Sequence, residues 1–309
     1  MNFLPVTKNN LPLLSRHIAG AETLFADMTL GYLYMWADFY RITFGTVYGV
    51  PFLSATDEVA DERDAGAELH RVYAPASPIK GHEAEITEAL HRETHGDVTL
   101  SALTEEQAMA VCACYPGRAT CTYSDEESDY LYSAQSLSTF AGKKLAAKRN
   151  HIHAFLNTYE QYTFREITEN DTEALLSFYR DYRLSEEDDS PGARREGAAA
   201  ERLIRAVRDA ECIGFVLEVN GDIIGFSIGE IRRGVFYMHV EKARREIRGA
   251  YPLLVREAVS RVAADIRYVN REEDDGDEGL RRSKESYRPE ALLCKYKVTV
   301  RFPDTDNGI

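Results

Sequence analysis

The sequence has no long apolar run, few cysteines and a deficit of positive charge, and each shortage excludes a class of protein. No segment approaches the roughly 18 apolar residues of a membrane-spanning helix. The first residues, MNFLPVTKNNLPLL, contain neither a continuous apolar stretch nor a small-residue cleavage site. The five cysteines are odd in number and scattered, which is typical of reduced thiols rather than of a disulfide framework. We therefore expect a cytoplasmic protein without a membrane-spanning segment.

The charge balance argues against a broad nucleic-acid surface. Lysine and arginine number 37 against 51 aspartates and glutamates, so the formal net charge is −14 at pH 7. Non-specific nucleic-acid binding needs a basic face, although a local basic pocket for one anion is still compatible with this balance. At 309 residues, with 44% hydrophobic and 28% charged residues, the chain has an ordinary globular composition and suits two domains.

Three motifs match the residue patterns of known catalytic or metal sites, but the residues around them do not fit those sites. Residues 225–229 (GFSIG) match a nucleophile elbow, yet a strand rather than a helix is predicted to follow Ser227. Residues 91–95 (HRETH) space two histidines as a zinc protease does, but arginine stands where the general-base glutamate belongs. The acidic run 272–278 would put Arg271 and Arg282 at the liganding ends of a calcium loop. We therefore expect no metal site.

Hydrophobic periodicity predicts a mixed α/β chain in two parts. Apolar residues at helical spacing over residues 137–159 predict one long helix. We place this helix as a bridge, residues 137–160, between an N-terminal domain, residues 1–136, and a C-terminal domain, residues 161–309. Residues 57–67 and 184–197 have the composition of charged loops, and the last strand is predicted over residues 292–302. The C-terminal domain has the predicted order β-α-α-β-β-β-α-β-α-β.

Two segments carry the strongest signs of function. Residues 239–252 (HVEKARREIRGAYP) contain a strand end, a cationic turn and a proline suited to the first turn of a helix. The N–H groups and dipole of such a helix start attract anions, although an ordinary solvated turn is an alternative. On the predicted bridge helix, Lys144, Lys148 and His151 lie on the same side as apolar residues. The two lysines either reach a partner or cleft, or extend to solvent along packed stems.

Several blocks of the chain resemble one family. They are residues 142–152 (GKKLAAKRNHI), residues 239–251 (HVEKARREIRGAY), residues 268–274 (YVNREED), residues 278–284 with 286–289, and the early residues 33–36 (LYMW). In unbroken order they resemble the phosphatidylglycerol lysyltransferase C-terminal-like family over nearly the whole chain. The resemblance implies an α/β (α+β) fold of two tandem GNAT-like acyltransferase domains, each a mixed twisted sheet flanked by helices. It also implies kinship with enzymes that move an aminoacyl group from tRNA to a lipid or peptide amine.

The predicted activity is transfer of an acyl group, in particular an aminoacyl group, to an amine acceptor. The anionic donor would be aminoacyl-tRNA or acyl-coenzyme A, with no further cofactor predicted. A coenzyme A-dependent N-acyltransferase is one alternative, and a non-catalytic binding module that keeps a GNAT cleft is another. The GNAT pyrophosphate loop, (Gln/Arg)-x-x-Gly-x-(Gly/Ala), is met at Arg245 and Ala250, but Arg248 replaces its first glycine.

The candidate site residues lie around the ends of predicted strands. Glu241 is the candidate base or orienting group, His239 is a rival base, and Lys284 or Tyr287 could protonate the leaving group. The candidate binding residues are Lys242, Arg245, Arg248, Gly249, Ala250, Asn270, Arg271, Glu273, Lys144 and Lys148. We expect one pocket to bring together Glu241, Lys242, Arg248, Asn270 and Glu273. A structural ion pair between Glu241 and Lys242 is the alternative.

Overall fold

The computed structural model describes residues 1–56, 70–186 and 190–303 and divides the chain into two compact units. The first unit comprises Met1–Met28, Trp36–Ser128 and Cys294–Ile309, and the second comprises Thr29–Met35 and Asp129–Leu293. These boundaries differ from those predicted, because each unit is assembled from segments that are distant in the sequence. Among the described residues, no helix has the length and apolar character needed to cross a membrane.

Helices and strands alternate along the described part of the chain, singly or in short runs. The helices are α1 (Leu11–His17), α2 (Leu30–Met35), α3 (Glu83–Thr94), α4 (Glu105–Cys114), α5 (Ala134–Thr139), α6 (Ala146–Thr158), α7 (Thr172–Glu186), α8 (Pro191–Ile204), α9 (Ala250–Val262) and α10 (Glu278–Ser286). The strands are β1 (Leu4–Pro5), β2 (Thr43–Val47), β3 (Val50–Thr56), β4 (Arg71–Pro75), β5 (Val98–Leu103), β6 (Ala119–Tyr123), β7 (Asp129–Ser133), β8 (Tyr162–Glu166), β9 (Ile213–Val219), β10 (Asp222–Arg232), β11 (Val235–Ala243), β12 (Tyr268–Asn270), β13 (Ala291–Leu293) and β14 (Tyr296–Val300).

The first unit is built on a mixed sheet with the strand order β1-β2-β3-β4-β5-β14-β6. The β4–β5 pair is parallel and the others are antiparallel. The start of α4 is fixed by a capping box, in which Thr104 and Gln107 each accept the other's backbone N–H. The apolar side chains of α3, α4, β5 and β14 form the core of this unit.

The second unit is built on a mixed sheet with the strand order β13-β7-β12-β11-β10-β9-β8. In this sheet β11 and β12 are parallel, and the other neighbours are antiparallel. The parallel pairing of β11 with β12 is short: it begins where Val235 faces Tyr268 and ends where Tyr237 faces Asn270. Strand β11 continues to Ala243, whereas β12 stops at Asn270. The sheet therefore opens between the end of β11 and the segment after β12.

A β-bulge in β11 lies beside this opening. Ile228 pairs with Val240 and Gly229 with Met238, so His239 is an extra residue on β11. Such a bulge bends the strand and redirects its side chains. A Cβ at Gly229 would lie 2.0 Å from the carbonyl oxygen of Tyr237, so the close approach of β10 to β11 requires glycine there.

The predicted helix over residues 137–159 is broken in two, and both parts lie inside the second unit. Phe140, whose ring is buried, takes a left-handed conformation (φ +49°) at the end of α5, and Gly142 follows with φ +85°. The Arg149 guanidinium donates to the carbonyl oxygens of Phe140 and Gly142, which satisfies the broken end. Both α5 and α6 pack against α9, so the bridge prediction is wrong.

Three further sequence predictions need correction or lie outside the described residues. The segment 184–197 is largely helical, because α7 extends to Glu186 and α8 begins at Pro191 after a Ser190 N-cap. The strand predicted over residues 292–302 is two strands, β13 in the second sheet and β14 in the first. The predicted charged loop, residues 57–67, lies outside the described residues.

Candidate functional site

A carboxylate and a guanidinium face each other across the opening between β11 and β12. Arg271 Nη2 donates to Glu241 Oε1 at 3.0 Å. Each side chain is only about one-tenth exposed, at 10% for Arg271 and 11% for Glu241. The pair forms there because β11 delivers Glu241 beyond its last contact with β12, whereas Arg271 is the first residue after β12. Sequence prediction placed both residues in the site, and the structure brings them into contact.

Aromatic rings and a lysine complete this cluster. The Arg271 guanidinium lies 4.4 Å from the centroid of the Tyr287 ring and 5.7 Å from that of Tyr132. Lys148 Nζ, from α6, lies 3.6 Å from the centroid of the Tyr287 ring. A cation near an aromatic ring is attracted by the negative potential of the ring face. We call Glu241, Arg271, Lys148 and Tyr287 the cleft cluster.

Lys148 has a lowered pKa within the cleft cluster. Burial lowers its pKa and the Arg271 charge lowers it further, while Glu241 opposes both, and the result is a pKa of about 8. An ordinary lysine holds its proton firmly at neutral pH, so this shift makes proton exchange accessible. Burial raises the pKa of Tyr287, whose hydroxyl therefore stays protonated and poorly suited to acid catalysis.

The start of α9 packs closely against α6. Gly249 has φ +90°, and a Cβ there would lie 2.2 Å from the carbonyl oxygen of His151. Arg248 Nε donates to His151 Nδ1 at 3.3 Å.

The start of α9 is a weaker anion site than its sequence predicts. The Ala250 N–H already donates to the carbonyl oxygen of Ile247 at 3.1 Å, and Pro252 has no N–H. Few N–H groups of the first turn therefore remain for an anion. Arg248 is exposed, and Arg245 pairs with Glu186 with its own side chain 69% exposed. Neither arginine contacts the cleft cluster.

Lys242 lies on the opposite face of the sheet from Glu241. Its Nζ is 2.5 Å from Glu196 Oε1 and 5.7 Å from the centroid of the Tyr182 ring, and the Tyr182 hydroxyl lies 2.9 Å from that of Tyr251. Successive side chains of a strand point to opposite faces, which explains the separation. The predicted convergence is therefore wrong for Lys242, and so is the alternative ion pair with Glu241.

His239 is enclosed and has no exposed side-chain surface. Its Nδ1 lies 2.7 Å from Glu272 Oε1, and its Nε2 lies 3.7 Å from Glu230 Oε2. Burial by itself would lower the pKa of His239, but the two carboxylates outweigh burial and raise that pKa to about 9. A fully enclosed imidazole cannot reach a substrate in the opening, so His239 is not placed to act as a base there.

Three side chains stabilise the segment after β12, those of Asn270, Glu273 and Lys284. Asn270 is fully buried; it donates to Asp129 at 2.9 Å and accepts the Glu272 N–H at 2.7 Å. Lys284 Nζ donates to three successive carbonyl oxygens, those of residues 271 to 273. Burial lowers its pKa, and the carbonyls enclose its ammonium group. The Glu273 carboxylate accepts a bond from the Tyr32 hydroxyl at 3.4 Å. These residues position Arg271 rather than face the opening.

Of the two lysines named as candidate binding residues on the predicted bridge helix, only one lies at the site. Lys148 is half-buried in the cleft cluster, but Lys144 is exposed in the short turn before α6. Sequence reasoning also missed several residues that contact predicted ones: Tyr132, Tyr182, Glu196, Glu230 and Glu272. The sequence carries no local signal for these contacts, since each joins separate strands or helices.

The two mixed sheets flanked by helices, and the opening between two parallel strands, define a GNAT-like fold. The chain belongs to the family described as phosphatidylglycerol lysyltransferase, C-terminal, which it matches over residues 25–299. The resemblance inferred from the sequence is thereby confirmed.

Individual relatives agree with this placement. The chain is 28% identical over 178 residues to an uncharacterized protein of Mycoplasmoides gallisepticum, an alignment that spans 57% of this chain and 57% of that relative. A solved conserved protein of unknown function from Bacteroides thetaiotaomicron is 27% identical, with 97% of this chain and 100% of that one covered and a TM-score of 0.85. L-PGS from Bacillus licheniformis shares the fold at 16% identity, with 97% and 93% covered and a TM-score of 0.64.

Proposed function

We propose that this protein transfers an aminoacyl group from an anionic donor of the aminoacyl-tRNA type to an amine acceptor, and that the cleft cluster is its reaction centre. The observation that carries the proposal is the contact between Glu241 and Arg271 with Lys148 beside it. Family membership supports a transferase, and the cleft cluster supplies a hydrogen-bond donor and a proton-exchanging group where the sheet opens.

In the proposed chemistry, Arg271 stabilises the negative charge that develops and Lys148 transfers the proton. The acceptor nitrogen attacks the ester carbonyl carbon of the donor, a C–N bond forms, and the carbonyl oxygen becomes negative. Arg271 stabilises that oxyanion, since a charged donor in a partly buried site acts strongly. Neutral Lys148 takes the proton from the attacking nitrogen. The C–O ester bond then breaks, and Lys148 returns the proton to the leaving oxygen.

Glu241 has a positioning role in this scheme. Its carboxylate holds the Nη2 edge of the Arg271 guanidinium and balances its charge. The three ionisable groups Glu241, Arg271 and Lys148 therefore carry a net charge of +1 when Lys148 is protonated and of zero when it is neutral. Loss of the carboxylate would leave two cations without their counter-charge in a partly buried site, which is costly.

The start of α9 favours an aminoacyl-tRNA donor over coenzyme A. GNAT enzymes that hold a pyrophosphate need free backbone N–H groups at this turn. Here Pro252 lacks an N–H, the Ala250 N–H is used within the turn, and His151 of α6 packs against Gly249. The runner-up, a coenzyme A-dependent N-acyltransferase, therefore has weaker support from the residues of this chain.

The test is a transfer assay with matched lysine variants. The protein is incubated with aminoacyl-tRNA carrying a labelled amino acid and with a panel of amines, and acetyl-coenzyme A replaces the tRNA in a parallel series. We expect transfer from the tRNA, and a loss of about 10²–10⁴-fold in kcat for Lys148→Met, the range of a general acid–base group. The control is Lys143→Met, because Lys143 is exposed in the turn before α6.

Each outcome distinguishes the candidate functions. Transfer only from acetyl-coenzyme A would replace the proposal by the runner-up. No transfer from either donor, together with stabilisation by one of them, would favour the binding module. A donor present at a hundred times its dissociation constant should then raise the free energy of unfolding by about 2.7 kcal/mol.

A further inference from the structure

Three metal-ligating side chains meet inside the second unit, away from the cleft cluster. Cys212 lies just before β9, Glu230 is in β10 and His239 is in β11, and all three are buried. The Cys212 sulfur, a carboxylate oxygen of Glu230 and a ring nitrogen of His239 all lie within 4.8 Å of one another. Because β9, β10 and β11 are neighbours in the sheet, these residues converge although they are far apart in the sequence.

The orientation of His239 leaves one nitrogen facing this cluster. Nδ1–H donates to Glu272 at 2.7 Å, so once the ring has lost its Nε2 proton its lone pair lies on Nε2. That nitrogen is buried and has no hydrogen-bond partner among the described residues. It lies 3.7 Å from Glu230 Oε2, which is too long for a hydrogen bond. Ligand atoms of a tetrahedral zinc ion with bonds of 2.0–2.2 Å stand about 3.4 Å apart, so this separation is close to that of two ligands.

The charges around the cluster favour a cation. Glu230 and Glu272 both reach His239, so two carboxylates are enclosed with one imidazole. A divalent cation would stabilise the Cys212 thiolate, as metals do for coordinating thiols.

The backbone of Gly31 lies directly against the cluster and excludes a larger side chain. A Cβ at Gly31, in α2, would lie 2.7 Å from Nε2 of His239 and 2.8 Å from the sulfur of Cys212. Gly31 N–H donates to Glu230 Oε2 at 2.6 Å, and Leu30 N–H donates to Oε1 at 3.1 Å. These bonds hold the carboxylate in place, and each oxygen keeps a second lone pair.

We propose that Cys212, Glu230 and His239 bind a zinc ion, with Glu272 as the carboxylate that orients His239. Cysteine, histidine and carboxylate together are a ligand set that suits zinc. Water or the second Glu230 oxygen would occupy the fourth position. Thiolate and carboxylate would balance the charge of the ion, and binding would release the Cys212 proton and the Nε2 proton of His239. A histidine ligand whose other nitrogen donates to a carboxylate is the usual arrangement at zinc sites.

The consequence for the unit would be structural. The ion would join three neighbouring strands and, through Glu272, the segment that presents Arg271. This proposal is independent of the proposed transferase activity, because it concerns residues enclosed behind the opening. The sequence did not indicate the site, since the three ligands are 18 and 9 residues apart and match no metal-binding motif.

The test measures metal directly in the full chain. Protein is purified under reducing conditions without chelator, and its metal content is determined by mass spectrometry, with about one zinc per chain expected. Chelator-treated protein is then titrated with Co²⁺, which gives a thiolate-to-cobalt charge-transfer absorption only when a cysteine binds it. Cys212→Ser should abolish the absorption and reduce bound zinc at least about tenfold. The matched control is Cys294→Ser, a cysteine outside the cluster that should leave both readouts unchanged.

The cobalt titration of the unmodified protein keeps the test decisive even if Cys212→Ser folds poorly. Absence of the charge-transfer absorption, together with less than about a tenth of a zinc per chain, would overturn the proposal. The cluster would then be a protonated His239 held between Glu230 and Glu272. Cobalt absorption that persists in Cys212→Ser but disappears in Cys294→Ser would also overturn it, because the metal would then bind elsewhere.

Discussion

Replacement of Gly249 by alanine tests the contact between α6 and α9 on which the cleft cluster depends. Two separate costs follow from the geometry. Alanine at φ +90° is strained by about 1–2 kcal/mol, because an L side chain is disfavoured in the left-handed region. The new Cβ would also lie 2.2 Å from the His151 carbonyl oxygen and 2.9 Å from its carbon. Backbone atoms cannot rotate away, so α6 and α9 must separate, at a cost of about 1–3 kcal/mol.

The chain provides a control that carries only the first cost. Gly221, in the Asn-Gly turn between β9 and β10, has φ +88°, and a Cβ there would have no atom within 4 Å. Gly221→Ala should therefore lower the free energy of unfolding by about 1–2 kcal/mol, and Gly249→Ala by about 2–5 kcal/mol. Urea unfolding followed by circular dichroism measures both, and transfer activity should fall more in Gly249→Ala because Lys148 moves with α6. Equal destabilisation of the two variants would refute the tight contact between the helices.

Three further predictions concern the pKa of Lys148, the pKa of Asp171 and the hydrogen bonds that Lys284 donates. The transfer rate should rise as pH increases through about 8, because Lys148 must lose its proton to act as a base; an unchanged inflection in Lys148→Met would contradict this. Hydrogen bonds from Arg165 lower the pKa of Asp171 below its ordinary 3.8, so this stabilisation is present above that value and is lost as pH falls below it. Asp171→Asn should then cost about 1–3 kcal/mol at pH 7 and nearly nothing in strong acid, as thermal unfolding across pH will show. Lys284→Met should lower both stability, by about 1–3 kcal/mol, and activity, because three carbonyls lose their donor; lost activity at full stability would point instead to a direct catalytic role.

Local sequence specifies an element of the second unit where the signal lies within that element. The helix over residues 278–286 begins at Asp277, whose side chain accepts the Leu280 N–H, and such a cap is encoded by neighbouring residues. The Asn220-Gly221 turn between β9 and β10 follows from the positive φ that both residues accept. The break at Phe140 was missed because apolar spacing continues across it, and only the left-handed backbone of the folded chain interrupts the helix.

By itself the sequence determined the family, the mixed α/β class and the residue types that gather near the end of β11. It could not determine which of them touch, because contacts between strands depend on sheet order and on the face to which each side chain points. Glu241 and Lys242 are adjacent in the chain, yet one meets Arg271 and the other meets Glu196. Cys212, Glu230 and His239 carry no shared motif, and only the order of β9, β10 and β11 brings them together. Tertiary structure alone decided these contacts, because only the assembled sheet sets the distances between side chains that are remote in the sequence.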